Sequence, residues 1–154
     1  MAERFRVLVV GRSGTPWADA AVADYSRRIT RMGGVAEVVV KAESFRGDVD
    51  AVRAAEGARL LAQVGPRERL VVLDERGEDL DTPAFTALVE AGRRDAALVF
   101  ALGGPYGHAS VVRDRAWRVV RLSSLVLNHE VARVVLYEQL YRSLSALAGS
   151  PYHH

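Results

Sequence analysis

Gly103-Gly104-Pro105-Tyr106-Gly107 stands directly after the apolar run Ala96–Leu102. An apolar run that ends in a glycine-rich turn presents bare backbone at the carboxyl end of an expected parallel strand, where open α/β sheets take their ligands. Glycine permits positive φ and close approach of a ligand to the main chain, and Pro105 stiffens the turn by fixing its own φ. Such a turn suits a ligand carrying adenine or a sulfonium, held by backbone groups. A purely structural tight turn is the competing explanation. Leu122-Ser123-Ser124-Leu125-Val126-Leu127 follows the next apolar run. These residues could wall a pocket for a flat aromatic ring, with Ser123 or Ser124 as polar contacts, or they could simply fill core. His129 and Arg133 lie one helical turn apart, and so do Glu138 and Arg142. Tyr152-His153-His154 ends the chain with side chains able to stack on a base and contact phosphate; a frayed terminus or a tag fragment explains them equally.

Other chemistries lack their residues. There is no cysteine, which removes disulfides and thiolate metal sites, and the four histidines have no HExxH spacing. No metal site is expected. The turn after the first expected strand, Gly11-Arg12-Ser13-Gly14, does not complete a dinucleotide fingerprint. The sole lysine, Lys41, belongs to no phosphate-loop motif. The serines sit in no nucleophile elbow. The acids Asp74–Glu75 and Glu78–Asp81 invite a glycosidase reading, but beside a glycine they read better as loop residues facing solvent.

The chain has 154 residues, enough for one substantial core and short for two. Net charge is +2, carried almost wholly by arginine, which permits RNA contact without arguing strongly for it. No apolar stretch reaches membrane-spanning length, and no signal peptide is expected.

Strand and helix patterns alternate. Strands are expected at Phe5–Val10, Val35–Val40, Leu70–Leu73, Ala96–Leu102 and Arg118–Leu122. Thr15-Pro16 reads as N-cap and first helical residue, opening a helix with Trp17, Ala21, Tyr25 and Ile29 as its apolar stripe. A second helix is expected over about Asp48–Gln63, with Val49, Val52, Ala55 and Ala58 inward. Asp74–Gly77 reads as a polar turn. Thr82-Pro83 opens a third helix that buries Phe85, Leu88 and Val89 and closes at Gly92. Ser110–Trp117 reads as a short helix, and Asn128 as the cap of a last helix reaching about Leu147. This alternation predicts an α/β fold with a mainly parallel sheet flanked by helices. On the last helix, Val131, Val134, Val135, Leu136, Leu140, Leu144 and Leu147 exceed one stripe. Such a helix must be buried on more than one side, either internally or at a two-fold dimer interface.

The stretch from Gly103 onward closely resembles the RlmH family of large-subunit ribosomal RNA methyltransferases, of the SPOUT superfamily. The resemblance rests on Gly103-Gly104-Pro105-x-Gly107, Leu122-Ser123-x-Leu125-x-Leu127, His129, Arg133, Glu138-Gln139-Leu140-Tyr141-Arg142 and Pro151-Tyr152-His153. It covers the whole chain, including Leu73-Asp74 and Gly77, and is strongest in the last third. It implies one domain over residues 1–154, with a deep C-terminal trefoil knot whose knot and cofactor region spans about 70–154. It implies a homodimer without metal or membrane contact. The implied reaction moves the methyl group of S-adenosylmethionine to N3 of a pseudouridine in helix 69 of large-subunit rRNA, on the assembled ribosome. Matched residue by residue, it places cofactor contacts at Leu73, Gly103, Gly104, Leu122, Ser123, Ser124, Leu125, Val126 and Leu127. It gives Arg142 to RNA phosphate or the cofactor carboxylate, Tyr152 to stacking on the base, and His153 to positioning the pseudouridine or taking its N3 proton. The alternative is a ribosome- or RNA-binding knot protein that keeps the pocket without useful turnover. Tyr106, Asn128 and Glu130 depart from the common bacterial residues, glutamate, proline and glutamine, and Gly103–His108 looks like the plant, organelle-targeted branch. The implied location is the cytoplasm, or a chloroplast or mitochondrion had a targeting segment been removed.

Overall fold

The computed structural model describes residues 4–12 and 14–153, His153 by its backbone alone. Strands β1 (Phe5–Val10), β2 (Val35–Val40), β3 (Arg69–Asp79), β4 (Leu98–Leu102) and β5 (Arg118–Arg121) form one sheet. Their order is β2-β1-β4-β3-β5, and every pair is parallel. Helices α1 (Pro16–Ile29), α2 (Val49–Leu61), α3 (Thr82–Gly92), α4 (Ser110–Arg115) and α5 (His129–Leu147) cover both faces. Alternation along the strands explains the layering. Phe5, Val7, Val71, Leu98 and Phe100 enter one core beneath α1, α3 and α5, while Leu8, Leu70, Val72, Val99 and Ala101 enter another beneath α2 and α4. β4 is buried along its whole length, as expected for the middle strand of a parallel sheet. No helix among the described residues is long and apolar enough to cross a membrane.

Several local expectations shift. On α1, Ala18, Val22 and Ile29 are buried; of the expected stripe Ile29 is buried, Ala21 and Tyr25 are half-buried, and Trp17 is 56% exposed. The buried side of α2 is Val52, Glu56, Gly57 and Leu60, and Ala58 faces solvent. Asp81 caps α3 by accepting from the Ala84 N–H, so Thr82 is already helical. Thr15 occupies the cap of α1 without a side-chain cap bond. Asn128 caps α5 as expected, its Oδ1 accepting from the Glu130 N–H at 2.8 Å.

The largest departure is β3. The apolar part Leu70–Leu73 continues through polar residues to Asp79. Val71–Leu73 pair with Arg118–Val120; then, after a detour over Asp74–Gly77, Glu78 and Asp79 pair with Val120 and Arg121. Val120 thus has two partners in β3, and the detour passes close against β5. A Cβ at Gly77 would stand 2.6 Å from both C and N of Val120. Ion pairs Arg118–Glu78 at 2.6 Å and Arg121–Asp79 at 3.1 Å flank this contact.

Candidate functional site

A cleft of about 530 Å³ opens at the carboxyl ends of β3 and β4. Its walls come from the middle of β3, where its apolar part gives way to the detour (Leu73–Arg76), the glycine turn Gly103–Gly107, the segment after β5 and the start of α5. Leu73, Gly103, Gly104, Leu122, Ser123, Leu125, Val126 and Leu127, the residues expected to contact a cofactor, all line it. Ser124 does not line it and faces solvent. The Ser123 hydroxyl is turned back onto its own segment, accepting from the Leu125 N–H at 2.9 Å. Leu125 and Val126 are 74% and 80% exposed, so they form a rim rather than a closed wall. The segment has no regular structure to turn these side chains inward.

The glycines act differently from the expectation. Only Gly107 of this turn has positive φ, +80°, where its N–H donates to the Gly104 carbonyl at 3.0 Å. Gly103 and Gly104 are required by neighbours beneath the turn. A Cβ at Gly103 would lie 3.2 Å from His108 Nε2, and one at Gly104 would lie 2.9 Å from Glu56 Oε1 and 3.3 Å from Val10 Cγ1. Gly104→Val would therefore disturb the cleft by pushing on Glu56, not by filling the cleft directly.

His108 is buried and lines the cleft. Its ring nitrogens have no hydrogen-bond partner, although the Leu73 and Ala101 carbonyls lie near them. Burial is the dominant influence and pulls the imidazole below its ordinary 6.5; Asp74 opposes this and Arg113 adds to it. The folded chain thus takes up this proton less readily than the unfolded one. The stability that neutral His108 confers is complete above pH 6.5 and is lost as pH falls below that value. Melting temperature should drop between about pH 7 and about pH 5, and His108→Phe should flatten that slope. An equally steep slope in the variant would assign the acid sensitivity elsewhere.

A second crevice of about 360 Å³ lies on the other side of β4, at the ends of β1 and β4. Leu102, Gly103 and His129 border both spaces. The floor of this second crevice holds a charged network. Arg133 donates to both oxygens of Glu37, at 2.9 and 2.7 Å, to Asp19 at 2.9 Å and to Glu130 at 3.3 Å. Tyr137 also donates to Glu37, at 2.9 Å. Burial opposes the charge on Arg133, but Glu37, Asp19 and Glu130 outweigh it and raise its pKa. Glu37 was not anticipated from sequence, although a carboxylate inside Val35–Val40 is a signal that some cation must meet it.

Arg142 and Tyr152 border neither space. Arg142 lies thirteen residues beyond His129 on α5, which is about 20 Å along the helix axis. It pairs with Glu138 at 2.9 Å, and its guanidinium lies 5.0 Å from the centre of the Tyr152 ring. The Tyr152 hydroxyl reaches Glu138 at 3.3 Å, and its ring meets Tyr141 edge-on at 4.5 Å. Burial, Tyr25 and Glu138 raise the Tyr152 pKa, so its phenol stays neutral. The His153 side chain lies outside the described residues. Within one chain, therefore, the expected cofactor residues gather, while Arg142 and Tyr152 form a separate ordered cluster.

Comparison with known proteins places these features. The family model described as "Predicted SPOUT methyltransferase" matches residues 4–153. Proteins called "Ribosomal RNA large subunit methyltransferase H" are similar along essentially the whole length. That from Trichlorobacter lovleyi is 39% identical over 98% of this chain and 99% of its own. That from Pelobacter propionicus is 40% identical with the same coverage. Among solved structures, a probable methyltransferase from Bordetella pertussis shares the fold, with TM-score 0.60 and 21% identity over 92% of this chain and 95% of that one. A probable methylase family protein from Haemophilus influenzae also shares it, with TM-score 0.59 and 12% identity over 99% of this chain and 71% of that one. The chain belongs to the SPOUT methyltransferases and, among them, to the RlmH family.

Proposed function

We propose that this protein is a methyltransferase that uses S-adenosylmethionine to methylate N3 of a pseudouridine in helix 69 of large-subunit rRNA, on the assembled ribosome and as a homodimer. The observation that carries this reading is the cleft at the ends of β3 and β4, in a chain that aligns end to end with relatives named for methylating large-subunit rRNA. Its size lies in the range of small-molecule sites. Leu122 and Leu127 supply apolar wall for an adenine, the Asp74 carboxylate an acceptor, and the turn at Gly103–Tyr106 exposed main chain, so the residues present fit the cofactor.

When bound, S-adenosylmethionine supplies an electrophilic methyl group on its sulfonium. The chain must then align the base and dispose of one proton. N3 of the pseudouridine has no free lone pair while protonated, so the N3–H bond breaks before or as the N3–CH3 bond forms. The thioether keeps the electron pair of the broken S–CH3 bond. His153 is the residue assigned to position the base or accept that proton, because imidazole titrates near neutrality. Tyr152, as a neutral phenol, stacks on the base. Arg142, held by Glu138, meets phosphate or the cofactor carboxylate.

Tyr152 and Arg142 can serve the cleft only from a partner chain, since α5 separates them from the cleft of their own. Exposed Trp17, Val131, Leu125 and Val126 supply apolar surface for such an interface. The same reading includes the knot.

The test is methyl transfer from labelled S-adenosylmethionine to ribosomes lacking the modification. His153→Ala should slow transfer by about 10²-fold or more while leaving the fold intact. Subunit mixing tests the shared site. Ser123→Arg blocks the cleft, Tyr152→Ala empties the tail, and each alone should be inactive. Mixed dimers keep one intact pair of cleft and tail, so about a quarter of wild-type turnover should return after random exchange. No recovery from stably exchanged dimers would place cleft and tail function in one chain.

A further inference from the structure

Phe45 and Tyr106 form an aromatic pair that the fold does not need. They come from different segments, the β2–α2 loop and the glycine turn, yet their rings stack at 5.5 Å with 23° between planes. Both stay open to solvent, at 52% and 38%. Apolar rings left exposed beside a functional cleft mark an interaction surface rather than core. Their placement is built. Tyr106 sits in the tight turn closed by the Gly107 N–H to Gly104 carbonyl bond, and Arg53 Nε donates to the Tyr106 carbonyl at 2.7 Å. Tyr106 and Arg53 both line the cleft.

Most carboxylates near the pair are already held, and Glu56, which has no ion pair, is buried beneath the turn rather than presented at the surface. Glu43 is taken by Arg59, Asp50 by Arg53, and the Asp48 carboxylate caps α2. Lys41 and Arg46, exposed in the same loop as Phe45, have no ion-pair partner among the described residues. An aromatic platform flanked by free cations is the arrangement that receives single-stranded nucleic acid, the bases on the rings and the phosphates on the cations. Duplex RNA offers no unstacked base, and a second copy of this chain would bring like charge against like.

We infer that Phe45 and Tyr106 form a stacking platform for an unpaired base of single-stranded RNA next to the nucleotide being methylated, with Lys41 and Arg46 contacting its backbone. This rests on the function proposed above and adds to it a contact made by the same chain that holds the cofactor. Phe45 is the cleaner probe, because it lies outside the cleft.

The experiment measures ribosome binding by co-sedimentation and, separately, kcat and KM for methyl transfer to unmodified ribosomes. Phe45→Ala should weaken binding and raise KM by about tenfold. Phe45→Tyr should restore both. S-adenosylmethionine affinity by calorimetry and the sedimentation coefficient of the free protein should not change. Arg46→Glu should weaken binding and lessen its dependence on salt. Wild-type affinity in Phe45→Ala overturns the inference, as does dissociation of the free protein's subunits in that variant, which would give the surface to a second copy. If the wild type binds ribosomes through Phe45 but transfers no methyl, the function falls and the platform stands. If transfer is normal in both wild type and Phe45→Ala, the platform falls and the function stands. Absence of any ribosome binding by the wild type removes both.

Discussion

Arg133→Ala is expected to cost about 3–5 kcal/mol of folding stability, the usual penalty for stripping one partner from a buried ion pair. Arg133 is 8% exposed and bridges Glu37, Asp19 and Glu130 at once, while His129 also approaches Glu130, at 3.6 Å. Alanine would leave Glu37, 20% exposed, with the Tyr137 hydroxyl alone, and Glu130, 10% exposed, without its arginine. Asp19 is half exposed and would recover hydration, so it contributes little to the loss. Arg133→Lys should fall between, since ammonium keeps the charge but cannot hold both Glu37 oxygens in one planar fork. Urea unfolding measures this directly. An unchanged midpoint for the alanine variant would show that the network holds nothing together. Cofactor affinity should fall as well, because the network anchors the first turns of α5, and α5 carries Asn128, His129 and Ala132 into the cleft. Lost affinity at full stability would instead make Arg133 a residue of the site.

Gly77→Ala should be nearly as damaging, costing about 3 kcal/mol. The new Cβ would meet backbone, 2.6 Å from Val120 C and N and 2.7 Å from Val119 C, and backbone cannot step aside as a side-chain end can. The detour Asp74–Gly77 would have to lift from β5. Asp74, Glu75 and Arg76 line the cleft, so its shape would change with that movement. Thermal unfolding and calorimetry with S-adenosylmethionine should therefore move together. Gly107→Ala is the useful contrast, since a Cβ there meets nothing within 4 Å and only its φ of +80° opposes the change. If Gly77→Ala melts like the wild type, the close crossing of β5 is wrong.

How much of this could be read from residues alone depends on the range of the cause. β1 and β2 were read with their bounds, because each is a short run of β-branched and apolar residues between turn residues. Asn128 at the start of α5 was legible for the same reason: the cap and the N–H it satisfies lie two residues apart. The stripe of α1 shifts by one residue at its start, from Trp17 and Ala21 to Ala18 and Val22, while Ile29 is buried as expected. The helix is apolar enough around Trp17 and Ala18 for either side to serve, and packing against α5 chose Ala18. The residues of the cleft were found through a family resemblance carried by motifs, not by periodicity. The resemblance could not say that Leu125 and Val126 stand open, or that Gly103 and Gly104 answer to His108 and Glu56 beneath them.

By itself, the order of residues determined the alternation of strands and helices, the parallel sheet and the glycine turn closing β4, because each follows from neighbours a few positions apart. Only tertiary structure decided that β3 meets β5 twice, that Arg133 finds Glu37 across 96 residues, and that Phe45 lies on Tyr106. These contacts join segments with no common local pattern. They form only once the chain closes long loops and the shared core holds both ends in place.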